Sequence, residues 1–280
     1  MRLGVHVSIG KGLRAAAEHA GELGCESIQM FSSNPNSWKV KDLDEGAAAA
    51  FREGIERLGI RPVALHTPYL LNLASSKNDI WTNSWENLAW ALEKAAVIGA
   101  DYTVTHIGSH GGDGFETGAD RVKDGIICAL DKASGNAMAL LEAGSGGGNT
   151  IGWRFEELAS ILERLDDYQG RVGVCLDTAH LWGAGYDIST AAGVDKTLGD
   201  FDRLIGLSQL KVIHLNDTRK LLGSRADRHW HIGQGNIGTE GFKAIVNHPS
   251  FSDTAGILET PDMESGKDIE NLNELKKLRL

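Results

Sequence analysis

The sequence has few cysteines and no long apolar run. Three cysteines occur in 280 residues, at Cys25, Cys128 and Cys175, and no C-x-x-C motif is present. This pattern gives no disulfide framework and fits a reducing compartment. No segment approaches the ~18 consecutive apolar residues that a membrane span needs. The opening residues MRLGVHVSIG also lack the apolar core of a signal peptide. We therefore expect a soluble, cytoplasmic protein with no membrane partner.

The sequence also lacks an excess of positive charge. Its 38 acidic and 28 basic residues give a formal net charge of −10. Proteins that bind nucleic acid usually carry a basic surface, so the charge balance alone argues against a nucleic-acid partner. The hydrophobic fraction of 41% is enough for a sizeable core, and the charged fraction of 24% is ordinary.

What the sequence does contain is a regular alternation of short β-branched runs with amphipathic segments. The eight runs are LGVHVS (3–8), SIQMF (27–31), PVALH (62–66), YTVTHI (102–107), AMALLEAG (137–144), VGVCLDTAH (172–180), LKVIHLND (210–217) and AGILETPD (255–262). Most are apolar throughout, as expected of parallel strands that are buried on both faces. Eight strand–helix units in this length predict an α/β fold, a (β/α)8 TIM barrel.

An open, doubly wound sheet is the alternative fold. Such sheets more often carry a G-x-G-x-x-G turn after the first strand, whereas this chain reads SIGKGL there. No linker, low-complexity segment or internal repeat interrupts the chain. The sequence therefore predicts a single TIM-barrel domain over residues 1–280, with its active site on the C-terminal face of the strands.

Polar side chains finish six of the predicted strands, where a buried strand should be apolar. Together with nearby loop residues they form a set of nine: His66, His106, Glu142, Asp177, His180, His214, Asp227, His229 and Glu259. In a barrel all nine lie on the C-terminal rim, where active sites are built. Each one taken singly has an ordinary explanation, such as a helix N-cap at Asp177. Six such strands in succession are harder to explain by capping. So many imidazoles and carboxylates at close quarters would repel one another or remain unpaired unless cations neutralised them.

The types of ligand indicate the metal. Imidazole with carboxylate and no thiolate suits zinc, and suits iron or manganese less well, whereas magnesium sites are nearly all oxygen. A catalytic zinc typically takes three protein ligands, so nine ligands allow three ions. Metals about 4 Å apart suit in-line displacement at phosphorus. The residues alone thus predict a multinuclear, zinc-dependent hydrolase of a phosphate ester.

Several motifs give the chain a specific resemblance. They are GVHVS at 4–8, HTPYLLNLAS at 66–75, HIGSH at 106–110, GVCLDTAHLWGAGYD at 173–187, HLNDTR at 214–219, GSRADRH at 223–229, GQGNIG at 233–238 and ILET at 257–260. In this order they resemble endonuclease IV, the zinc-dependent apurinic/apyrimidinic endonucleases (AP endonuclease family 2). The resemblance implies a (β/α)8 barrel with three Zn²⁺ that acts in base excision repair. It implies hydrolysis of duplex DNA 5′ to an abasic site, leaving a 3′-hydroxyl, and trimming of blocked 3′ ends.

The same resemblance implies a division of the nine ligands into three sets. They are His66, His106 and Glu142 for the first zinc; Glu142, Asp177, His214 and Glu259 for the second; and His180, Asp227 and His229 for the third. It further implies that Glu142 or Glu259 orients the attacking water. Three Zn²⁺ would bring the net charge from −10 to −4 and make the rim locally positive.

The resemblance also implies DNA contacts by a monomer. Tyr69 and Leu70 are expected to fill the space left by the extruded nucleotide. Asn36 stands where the family usually has an intercalating arginine, which predicts weaker or more salt-sensitive binding to abasic duplex. Arg225, Arg228 and His231 are further DNA-binding candidates. Lys39, Lys41, Arg219 and Lys220 are loop cations that could contact phosphates.

Two other functions compete with this interpretation. A divalent-metal sugar isomerase or epimerase of the xylose-isomerase type has a similar outline but needs fewer histidines. A barrel with purely structural metals is the second, but structural zinc sites are usually closed by four ligands, often cysteines. None of the three cysteines matches a ligand position.

Overall fold

The computed structural model describes residues 1–262 and 265–280. Its strands form one closed parallel barrel in sequence order, and β1 pairs with β8 to close it. The strands are β1 (Arg2–His6), β2 (Ser27–Phe31), β3 (Val63–His66), β4 (Tyr102–His106), β5 (Met138–Glu142), β6 (Val172–Asp177), β7 (Leu210–His214) and β8 (Ala255–Leu258). The predicted (β/α)8 TIM barrel is confirmed.

Helices surround the barrel and follow the strands. Within the described residues they are α1 (Leu13–Leu23), α2 (Glu45–Leu58), α3 (Asn78–Ile98), α4 (Phe115–Lys132), α5 (Phe155–Glu163), α6 (Thr178–Ala184), α7 (Ala191–Leu204), α8 (Gly238–Val246) and α9 (Lys267–Leu278). None of them is long and apolar enough to cross a membrane. Short polar residues set several of the boundaries. For example, Asp44 begins α2 by accepting a hydrogen bond from the backbone N–H of Ala47 at 2.6 Å.

The sixth strand ends where the sequence predicts, at Asp177, although the apolar run continues to residue 180, and α6 begins at Thr178. The cause is local, because the Asp177 carboxylate accepts a hydrogen bond from the backbone N–H of His180 at 2.9 Å and caps the helix. His180 therefore lies on a helix, although it remains at the same rim. The eighth strand is one residue shorter than predicted, since β8 ends at Leu258, directly before Glu259.

The barrel interior explains why the strands end in polar residues. Apolar side chains fill its middle: Ala64, Val104, Leu140, Cys175, Val212 and Ile257 at one level, with Ala255 one inward position before Ile257 on β8. Side chains two residues apart on a strand share one face. The next inward-facing position is therefore polar on six strands, and these positions are His66, His106, Glu142, Asp177, His214 and Glu259. The upper layer of the core is thus a cluster of imidazoles and carboxylates at the carboxyl end of the barrel.

Candidate metal centre

The first group of predicted ligands is centred on one oxygen of Glu142. The Nε2 atoms of His66 and His106 lie 3.1 and 3.0 Å from Oε2 of Glu142. These three residues come from the adjacent strands β3, β4 and β5. Their donor atoms are close enough together to hold a single cation.

The second group uses the other oxygen of Glu142. The Nδ1 atom of His214 lies 3.2 Å from Oε1 of Glu142, 3.2 Å from Oε2 of Glu259 and 3.8 Å from Oδ2 of Asp177. These four residues also offer donor atoms within the span of one cation. Glu142 therefore belongs to both groups and is positioned to bridge two ions.

The third group differs in one member from the expected set. Its donors are His180, His229 and Asp177, since Oδ2 of Asp177 lies 3.5 Å from Nε2 of His229. Asp227 lies at the edge of this group, with its carboxylate oxygens 3.2 Å from His180 and 3.4 Å from His229. Asp177 thus contacts two groups, a feature that the order of residues in the sequence could not indicate.

Four of the five imidazoles have one ring nitrogen fixed by a carbonyl acceptor. The pairs are His66 Nδ1 with Thr67 O (2.7 Å), His180 Nδ1 with Ala143 O (2.9 Å), His229 Nδ1 with Glu259 O (3.1 Å) and His214 Nε2 with Gln29 Oε1 (2.9 Å). Each ring thereby turns its other nitrogen towards the carboxylates. A carbonyl partner on the outer nitrogen is typical of metal-binding histidines, because it fixes the tautomer and the ring orientation.

The positions and types of these donor atoms suit the binding of divalent cations. The Nε2 atom of His229 is buried and has no hydrogen-bond partner within the described residues. A buried polar atom without a partner is costly, and a metal ion at this position would satisfy it. The donor set of imidazole nitrogens and carboxylate oxygens suits zinc.

The carboxylates and imidazoles of the centre shift one another's pKa values. Burial opposes the charged form of Glu142, but His106 and His214 hold its pKa well below the usual range. Burial also opposes the charged form of His214, yet the acidic groups around it, including Glu259, raise its pKa well above normal. The pKa of His180 is likewise raised against the effect of burial, chiefly by Asp177 and Asp227. The carboxylates thus favour the protonated imidazoles, so protons and cations would compete for the same nitrogens.

Tyr69 and Leu70 lie where the sequence predicts a wedge into DNA. They follow β3 and have 56% and 37% of their surface exposed. The backbone N–H of Tyr69 donates to the carbonyl of Pro35 at 3.1 Å, which joins this loop to the loop after β2. Asn36 is exposed on that second loop. The Tyr69 ring lies 5.9 Å from the His106 ring, between centroids.

The predicted arginine contacts lie on the loop after β7. The guanidinium of Arg225 stacks 4.9 Å from the centre of the Trp153 ring, and Arg228 donates to the carbonyl of Asp227 at 2.7 Å. Arg219 stacks 3.6 Å above Trp230. Lys39, Lys41 and Lys220 also lie in loops that follow strands. An open cavity of about 240 Å³ between these loops is lined by seven of the nine ligands together with Tyr69 and Arg228.

His231 lies apart from the metal donors. Its side chain is buried, and its Nδ1 lies 3.2 Å from the amide nitrogen of Asn271 on α9. The same amide nitrogen donates to the hydroxyl of Thr260 at 3.1 Å, next to Glu259. This position favours a role in holding the loop of His229 in place, rather than a contact with DNA.

Two residues of the centre are missed by reasoning from strand ends. His6 of β1 and Gln29 of β2 both reach Glu259, at 3.1 and 2.6 Å from its Oε1 atom. The available signal was weak but real, since His6 is the last residue of β1 and Gln29 lies between the apolar residues Ile28 and Met30 of β2.

Comparisons with known proteins show which family this chain resembles. Residues 17–278 match the family model described as a xylose isomerase-like TIM barrel. A relative from Natranaerobius thermophilus, named probable endonuclease 4, is 46% identical over 278 residues, covering 99% of this chain and 98% of its own. The crystal structure of endonuclease IV from Thermus thermophilus superposes with a TM-score of 0.89 at 38% identity, covering 99% and 98%. A D-tagatose 3-epimerase-like protein shares the fold alone, with a TM-score of 0.70 at 18% identity over 99% and 98%.

The fold and the site thus define a metal-binding TIM barrel of the xylose isomerase-like class. Within that class, the chain belongs to the endonuclease IV family, as its full-length similarity to the endonuclease 4 relatives shows. It is accordingly a nuclease, and the family resemblance read from the sequence motifs is confirmed.

Proposed function

We propose that this protein is a zinc-dependent DNA-repair endonuclease that hydrolyses the phosphodiester bond 5′ to an abasic site in duplex DNA. The observation that carries the proposal is the sharing of carboxylates between three donor groups. Glu142 contacts the first two groups and Asp177 the last two, so three ions would lie side by side at the carboxyl end of the barrel. Such a cluster is suited to a phosphodiester, whose charge is spread over several oxygens.

Zinc ions bound here would activate water and neutralise the charge that develops on the phosphate and on the leaving oxygen. The side chains of the centre would hold these ions and orient the attacking water. Glu142 is 3% exposed and has both oxygens engaged by imidazoles, so it serves to hold the ions. Glu259 has a partly exposed side chain and lines the open cavity, so it is the better candidate to orient the attacking water.

The surrounding loops supply contacts to the duplex. Tyr69 and Leu70 would occupy the space left when the abasic nucleotide leaves the stack, which requires large apolar groups held beside the metal centre. Arg225 and Arg228 would bind phosphates, and their charge adds to that of the cations. Because a phosphate at a 3′ end presents the same ester chemistry, the centre would also trim blocked 3′ ends. The protein would act as a monomer in the cytoplasm.

The test is incision of a defined duplex. The purified protein is incubated with a labelled duplex that contains one tetrahydrofuran analogue of an abasic site. We expect a cut immediately 5′ to the analogue that leaves a 3′-hydroxyl. Removal of zinc with a chelator, or the Glu259→Gln substitution, should abolish the cut. The control is Glu163→Gln, an exposed glutamate at the end of α5. An intact strand with protein that holds its metal would refute the proposal.

A further inference from the structure

The five predicted imidazole ligands are not all held in the same way. Among the four whose outer nitrogen has a carbonyl partner, three use a backbone carbonyl: those of Thr67, Ala143 and Glu259. His214 uses a side chain instead, the amide oxygen of Gln29 at 2.9 Å. Its orientation therefore depends on the identity of one residue on another strand.

Gln29 also contacts a second predicted ligand of the same ion. While its Oε1 faces His214, its Nε2 donates to Oε1 of Glu259 at 2.6 Å. The remaining amide hydrogen faces Nδ1 of His6 at 3.1 Å. Gln29 is fully buried in the barrel interior, so each of these contacts is made without competition from water.

The two contacts require one particular arrangement of protons. If Nδ1 of His214 faces a cation between Glu142 and Glu259, then Nε2 must carry the hydrogen and needs an acceptor. The amide oxygen supplies the acceptor, and the amide nitrogen then donates to Glu259. A glutamine is suited to this position because it offers an acceptor and a donor side by side.

We propose that Gln29 is the positioning residue of the second metal, fixing the His214 tautomer and the Glu259 carboxylate through one amide group. This inference rests on the proposed metal centre and goes beyond its ligands. It predicts that the affinity for this ion depends on Gln29 although Gln29 does not bind the ion. Loss of such an outer partner typically weakens metal binding about 10- to 100-fold.

The test compares metal retention in three variants of the metal-loaded protein. Gln29→Met has a similar length but removes both amide contacts. Gln29→Glu keeps an acceptor for His214 and loses the donor to Glu259. The control, Ser27→Ala, removes a hydrogen bond at the other end of the same strand, from Ser27 Oγ to the carbonyl of Arg2 at 2.9 Å. Bound zinc per chain is measured after dialysis against a graded series of chelator concentrations.

We expect Gln29→Met to lose one zinc at a chelator concentration about 10- to 100-fold lower than wild type and Ser27→Ala. Gln29→Glu should lose the same ion at a chelator concentration no higher than that needed for wild type. Anomalous scattering at the zinc edge, in crystals of the partly depleted protein, should place the lost ion beside His214. Equal retention in all variants, or equal loss in Gln29→Met and Ser27→Ala, would overturn the proposal.

A measurement on the wild-type protein tests the proposal even if a variant does not fold. Long-range ¹H–¹⁵N spectra of histidine-labelled, zinc-loaded protein report which nitrogen of His214 carries its hydrogen. The proposal requires a hydrogen on Nε2 that exchanges slowly because Gln29 accepts it. A hydrogen on Nδ1 would contradict it. If wild-type protein binds no zinc, the proposed function fails as well. If it binds three zinc ions, and the Gln29 variants retain them equally well, only the role of Gln29 is wrong.

Discussion

Nδ1 of His214 and Oε1 of Glu142 lie 3.2 Å apart, although their strands β7 and β5 are separated by β6 in the barrel. The other oxygen of Glu142 faces His66 and His106. One carboxylate thus joins residues from four strands. The energetic cost of burying these groups together would be offset either by protons or by cations, which compete for the same donor atoms.

Glu142→Gln should remove two metal positions at once. The amide keeps the size of the side chain but cannot bridge two cations with charged oxygens. We expect a loss of about two zinc ions per chain and a fall in incision of roughly 10³-fold or more. Metal analysis and the incision rate, measured on the same preparation, check this. Full metal content in the variant would show that Glu142 is not a bridge.

Binding of zinc to the metal-free protein should release protons at neutral pH. The pKa values of His180 and His214 are raised well above normal, because buried carboxylates favour their charged forms. Metal ligation requires neutral imidazoles, so about two protons per chain must leave, and zinc affinity should fall as pH falls. Calorimetry in buffers of different ionisation enthalpy counts the protons. Zinc binding without proton release would contradict the assigned charge states.

Asn36→Arg should strengthen binding to abasic duplex. Asn36 is exposed on the loop after β2, and that loop is joined to the loop of Tyr69. A guanidinium can stack on a base and attract phosphate, whereas the shorter, uncharged amide cannot stack in this way. We expect a decrease in Kd of about three- to tenfold. Asn36→Gln, longer but uncharged, is the control, and an unchanged Kd in the arginine variant would refute the prediction.

The protein should become more stable as the pH rises above neutral, because Lys94 loses its proton in the folded state. Burial of this residue of α3 lowers its pKa from 10.5 to about 8, and its ammonium donates to the carbonyl of Ser32 on the loop after β2. Above pH 8 the folded protein has lost this proton while the unfolded chain keeps it up to about pH 10.4, so the free energy of unfolding increases with pH. The gain is on the order of 3 kcal/mol across this window.

Chemical denaturation between pH 7 and pH 10 measures this effect. The Lys94→Met variant should lack the increase, whereas Lys196→Met, at an exposed lysine of α7, should retain it. Parallel pH profiles of wild type and Lys94→Met would contradict the low pKa of Lys94.

The sequence predicted most of the fold because hydrophobic runs reveal buried strands directly. The candidate ligands stand out in the sequence for the same reason, since His106 and Glu142 each end an apolar strand. Asp177 was harder, because it is at once a helix cap and a candidate metal donor, and only the structure places it between two groups. Gln29 was missed because it lies inside a strand and its role depends on distances between strands.

The most direct test of a three-ion centre is a zinc titration of the metal-free protein. Bound zinc per chain and the rate of incision at a single tetrahydrofuran site are measured at each step. We expect incision 5′ to the lesion to appear only as occupancy approaches three zinc ions per chain, and Glu142→Gln never to reach this occupancy. Full incision by protein that holds no metal or a single ion would contradict the three-ion centre.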